Sequence, residues 1–139
     1  MQVNDISDVK LFNSHNDKTF DDKEVEKLAE FILEKSITKN SPDNDSFWDN
    51  QCKVLLKAVL LYIFHEVKSD QQNYSMLSKI LDGTEAVEIL FEKLEKKNPE
   101  HIAIKYYKVY QNTSLSTRRS VQATLVTKLQ SFNIELLND

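Results

Sequence analysis

The chain has 139 residues, 40% of them apolar and 29% charged, with a formal net charge of −4; that supports one domain around one core and leaves no room for two ordinary domains. One glycine and two prolines are too few for the turns of an all-β fold, and a single cysteine, Cys52, excludes an intrachain disulfide framework or a cysteine-built metal site. The composition predicts an all-α domain, with Cys52 as a small buried apolar residue in a reducing compartment.

The opening decapeptide, MQVNDISDVK, is polar and lacks the apolar stretch of a secretory signal. DVKLFN (8–13) is a short β-prone run, which as a lone strand is not stable and reads as extended chain packed on the helices or the remnant of a larger sheet. Residues 1–22 are therefore expected to form an extended N-terminal segment or linker, and residues 23–139 the helical domain. The polar stretches 13–22 and 39–46 read as loops.

The first helix is expected from about Lys23 to Ser36. Val25, Leu28, Ala29 and Ile32 recur at helical spacing on one face, Asp21 or Asp22 is placed to cap it, and Glu24 lies in its first turn. The second helix, about 46–68, opens with Ser46 and Asp49 as a capping box. It is apolar nearly all round from Cys52 to Val67, the pattern of a helix buried on most sides, and so is the expected centre of a bundle. Its apolar run Val54–Phe64 has eleven residues and contains Lys57, against the roughly 20 apolar residues a membrane-spanning helix needs. Lys53 and Lys57, one turn apart, are expected to share its least-buried side.

A short third helix is expected within 73–83, ended by Gly83 in a positive-φ conformation. A fourth starts at Thr84 as N-cap and buries Val87, Leu90, Phe91 and Leu94, with Lys93, Lys96 and Lys97 at the end the helix dipole favours. A fifth is expected to start at NPEH, with Asn98 as N-cap and Pro99 at the first helical position. The sixth runs from Ser114 or Ser116 to Phe132 on a stripe of Val121, Leu125, Leu129 and Phe132, and NIELL can add one more turn. The expected core comprises Trp48, Leu56, Val59, Leu60, Ile63, Leu90, Phe91, Leu125 and Leu129. Phe47 and Trp48 are expected to wedge between helices; an exposed aromatic anchor for a partner is the alternative.

No phosphate-cradling GxxxxGK[ST] and no HExxH is present. His15, His65 and His101 lack ligand spacing; His65 is expected at the core boundary and His101 in solvent. The chain is expected to have no catalytic, cofactor-binding or metal-binding residues, and not to be an enzyme. Charge, however, is unevenly spread: residues 101–134 hold no Asp or Glu and five basic residues, leaving a net −9 on the rest of the chain. Lys105, Tyr107, Lys108, Arg118, Arg119 and Lys128 are thus candidate contacts for DNA or another anionic partner, provided the fifth and sixth helices are antiparallel neighbours. The competing reading is a solvated basic face with structural tyrosines.

DSFWDNQCKVLLKAVLLYIFHEV resembles the D-P-F-W…A…LL segment of TraG-type type IV secretion coupling proteins, the conjugation ATPases. QQNYSMLSKIL, ILFEKLEKKNPEHIAIKYYKVYQ and TRRSVQATLVTKLQSFNIELL are similar, in order, to the segments that follow in Gram-positive members; together the blocks span about Asp45 to Leu137. Departures are Ser46 where the family has proline, the short DGTEA link (82–86) in place of a longer acidic insert, and LSTRRS where relatives often read G-K-T-x-K-S.

The resemblance implies the all-α domain of a bacterial coupling protein, inserted in a hexameric, membrane-anchored motor at the cytoplasmic face of the membrane, with DVKLFN as the strand leading into it. Such a domain is expected to recruit the relaxase–DNA substrate (the relaxosome) to the type IV secretion channel for conjugative DNA transfer, with possible contact to single- or double-stranded DNA. ATP and magnesium are expected only in the full-length motor, and no cofactor in this chain. The domain is expected to make no membrane contact and to be monomeric in isolation. A free-standing helical DNA-binding module and a structural insert shaping the motor ring's mouth are the alternatives.

Overall fold

The apolar segment that opens at Ser46 folds into a 21-residue helix, α2 (Ser46–Glu66), and four other helices pack directly against it or close over it. The computed structural model describes residues 22–35, 46–72 and 74–137. These form α1 (Asp22–Lys35), α2, a single 3-10 turn (Ser69–Gln71), α3 (Tyr74–Ile80), α4 (Thr84–Lys97), α5 (Ile102–Gln111) and α6 (Leu115–Leu137). Among the described residues there is no strand, so the all-α bundle around a central helix is the observed architecture. No helix among them is long and apolar enough to cross a membrane. The DVKLFN run, the Asp21 cap and residues 39–45 of the stretch expected to be a loop lie outside the described residues, as do the side chains of Asp22, Ser46, Phe47 and Phe132.

α2 packs on α1, α3, α5 and α6. That multiplicity explains its sequence: Leu55, Ala58, Leu60 and Leu61 are all fully buried although they spread round the helix. Glu26 and Glu30 of α1 lie against Lys57 and Lys53 of α2, so the two helices run antiparallel. α5 runs antiparallel on another side, with His101 beside Glu66 and Tyr106 beside Lys57. Val25, Ala29 and Ile32 of α1, Phe91 and Leu94 of α4, and Val121, Leu125 and Leu129 of α6 complete the core as expected. Trp48 and Leu90 differ: both are half-buried at its rim.

Three helix boundaries fall elsewhere than the local signals suggest. Gly83 does take positive φ (124°), but as N-cap of α4, where no side chain caps, rather than as the end of α3; Thr84 is already helical. α5 starts at Ile102 rather than at NPEH, and His101 is its N-cap. Asn98 instead closes α4, its N–H donating to the Leu94 carbonyl, while its side chain accepts from Glu100 N–H in a local turn. Asn98 is committed to that turn, so the capping role passes to His101, whose Nδ1 accepts from Ala103 N–H at 3.0 Å. α6 packs on α1 and α2 rather than along α5, so the antiparallel pairing that would have gathered the basic residues is not formed.

Candidate functional site

The six candidate contact residues of the acid-free segment do not form one surface. Tyr107 is buried, stacked on Phe91 with ring centroids 4.2 Å apart, and burial followed by Glu88 pushes its hydroxyl up to about 12. Lys108 is exposed but paired with Glu95 of α4 at 2.8 Å. Arg118 folds back over the end of α5, donating to the Gln111 and Thr113 carbonyls, with Glu88 3.8 Å away. Its own carbonyl accepts from the Tyr110 hydroxyl at 2.7 Å. Arg118 therefore supplies the polar closure of a helix end whose last carbonyls have no partner within the helix.

Lys128 is half-buried on α6, close enough to Cys52 to oppose the burial that pushes that thiol up to about 11. Only Lys105 and Arg119 remain exposed without an ion pair among the described residues. Glu95 and Glu88 of α4 supply acids to Lys108 and Arg118, so two of the five cations of the run are offset from across the fold.

Two polar constellations escaped the sequence signals. Lys57, expected on the least-buried side of α2, is 4% exposed. Its ammonium meets Glu26 at 2.8 Å and lies 4.1 Å from the centroid of the Tyr106 ring, an ion pair reinforced by a cation–π contact; Lys53, one turn earlier, stays half-exposed. The second lies where α2 ends, α4 ends and α5 begins. His101, expected in solvent, is buried there, and its Nε2 donates to Glu66 Oε2 at 3.1 Å. The backbone N–H on Nδ1 fixes that tautomer.

Lys97 takes the other Glu66 oxygen at 2.9 Å. The Lys97 hydrogen bond holds the Glu66 carboxyl below its ordinary range, and burial, then the neighbouring His101, lowers His65. The two imidazoles meet edge to face at 5.5 Å. They are 36 positions apart in the chain, which is why spacing alone could not pair them. No group of three metal-ligating side chains occurs among the described residues.

Next to this cluster the surface opens into a groove of about 480 Å³, walled by the end of α2, the 3-10 turn, α3 and the first turns of α4. Tyr62, Val67, Met76, Ile80 and Leu90 each present a half-buried apolar surface to it. Gln72 fixes its near wall: the side-chain amide donates to the Val67 carbonyl at 2.9 Å and reaches those of Ile63 and Phe64, tying the 3-10 turn to the end of α2. The apolar rim residues that no helix covers are what a sequence reading mistakes for core, as Leu90 illustrates. Compared with known proteins, the chain matches no family model, no curated protein and no solved structure.

Proposed function

We propose that this chain is a helical protein-docking module of the kind that conjugation coupling proteins insert into their motor, and that it recruits the relaxase component of a DNA–protein substrate to a type IV secretion channel. In that setting ATP and magnesium belong to the full-length hexameric motor at the cytoplasmic face of the bacterial membrane, and this chain contributes recognition rather than catalysis. The order of the four sequence blocks over Asp45–Leu137 supports the family side of this reading.

One observation carries the choice of a protein partner over DNA: two of the five cations of the acid-free segment already have partners within the fold, Arg118 on two carbonyls and Lys108 in a surface pair with Glu95. Non-specific DNA affinity comes from many simultaneous phosphate contacts, and two exposed cations, Lys105 and Arg119, are a small complement for that. The test is a pull-down of the cognate relaxase with the nuclease-treated chain, alongside fluorescence anisotropy with single- and double-stranded DNA at low and near-physiological salt. Relaxase capture without DNA, and DNA binding too weak to survive physiological salt, are expected. Salt-sensitive DNA binding abolished by Lys105→Ala with Arg119→Ala, without relaxase capture, would make the domain a DNA guide instead.

A further inference from the structure

The geometry points to the groove between the end of α2, α3 and α4 as the docking site, and to an acidic amphipathic helix as its occupant. This deepens the protein-docking reading and rests on it. Three features argue for that occupant.

The groove, about 480 Å³ and open to solvent, suits the side-chain ridge of a partner better than an enclosed small molecule. Its apolar lining comes from side chains at the rim of the core, including Met76, whose flexible thioether adapts to different apolar partners. A row of apolar side chains at i, i+3, i+4 and i+7 on a partner helix suits such a surface.

The charge of the lining is positive and free. Lys68 and Lys79 are both exposed and make no ion pair among the described residues. The one carboxylate in the lining, Glu66, has Lys97 on one oxygen and His101 on the other. A partner segment therefore meets two unneutralised ammonium groups around an apolar floor, and acidic residues flanking its apolar row complete the match.

The walls are also held in place before binding. Gln72 fastens the 3-10 turn to the end of α2, and Leu81 N–H and Asp82 N–H donate back to Leu77 and Lys79 carbonyls to fix the end of α3. A pre-formed groove spends little of the binding energy on ordering itself.

The experiment is selection of a displayed library of random 16-residue peptides on the full 139-residue chain, with enriched peptides synthesised and their affinity measured by fluorescence anisotropy. Enriched sequences are expected to be net acidic with apolar residues at helical spacing. Their affinity should fall about tenfold or more on Lys68→Glu with Lys79→Glu, two exposed charge reversals at the rim. It should fall similarly on Ala86→Trp, an exposed α4 position where the indole fills the groove, with circular dichroism confirming that both variants fold. Enriched peptides that bind all variants equally would overturn the groove assignment and leave the docking reading standing. Enriched peptides without acidic bias would overturn the choice of occupant. Failure to enrich any peptide overturns the groove as a peptide site, and failure also to capture the relaxase sinks the docking reading itself. Concentration-dependent dimerisation abolished by Ala86→Trp would mean that a second copy of the chain fills the groove.

Discussion

The two ends of α2 meet the same problem in different ways. At the N-terminal end, the surrounding polar groups turn inward: the Cys52 thiol lies 3.9 Å from the Val121 carbonyl, Tyr110 donates to the Arg118 carbonyl, and Arg118 covers the end of α5. At the C-terminal end, Gln72, His101 and Glu66 satisfy the backbone and each other, but the apolar side chains beside them stay half open and two lysines stay free. The segment that looks ready to bind, rich in Lys, Arg and Tyr, lies toward this N-terminal end, closed in its polar groups although Val109 and Leu115 stay exposed there; the open end is assembled from residues that look like ordinary helix surface. Local charge density is therefore a poor guide to a binding face when the neutralising acids arrive from another helix.

The largest effect that would break this picture belongs to the core both ends share. Leu56→Ala should cost about 2–5 kcal/mol in urea unfolding, since Leu56 is fully buried; a much smaller loss would mean that α2 is not the centre of the bundle. Trp48→Ala should cost less, about 1–3 kcal/mol, because Trp48 packs only partly against the core. A cost equal to that of Leu56→Ala would place Trp48 inside.

Along the middle of α2, Glu26→Ala should cost about 1–3 kcal/mol and more than Lys57→Met. The first removes the 2.8 Å partner of a buried ammonium, whereas the second leaves only a carboxylate 44% exposed to water. The reverse order would contradict the burial of Lys57.

At the closed end, Arg118→Ala should cost about 1–2 kcal/mol, because two carbonyls lose a donor, while its exposed neighbour Arg119→Ala should change stability by less than about 0.5 kcal/mol. Equal effects at the two positions would undo the distinction between a structural and a solvent-facing arginine.

At the open end, pH sharpens the contrast. His65 is lowered from 6.5 by burial and then His101, and Glu66 is lowered from 4.5 chiefly by its hydrogen bond from Lys97. In both cases the unfolded chain binds protons more readily than the folded one. Their stabilisation is present above the unfolded values and is lost as pH falls through the folded ones. Stability should therefore decline on acidification from about pH 6.5, with a second loss below about 4.5. His65→Gln should flatten the upper part of that profile and leave the lower part; an unchanged upper slope would exclude His65 as its source.

Most of the fold was legible because its signals are local and repetitive. The all-round apolar pattern of α2 and the helical stripes in α1, α4 and α6 specify which faces need covering, whatever covers them. The start of α5 was not legible, because Asn98 satisfies its local preference in a turn while His101, held from across the fold by Glu66, takes the cap. Lys57 was misread because a lysine's burial depends on a neighbour 31 residues away. The candidate contact residues were found as residue types but not as a surface, since their partners Glu88 and Glu95 come from α4.

Periodicity over residues three and four apart was enough to specify the six α-helices seen among the described residues, the central one and most of the apolar core. Only the tertiary structure decided which charges are neutralised, which histidines meet and where an apolar surface is left open. Those outcomes depend on groups tens of residues apart arriving at the same place, and nothing in the spacing of either partner records the other.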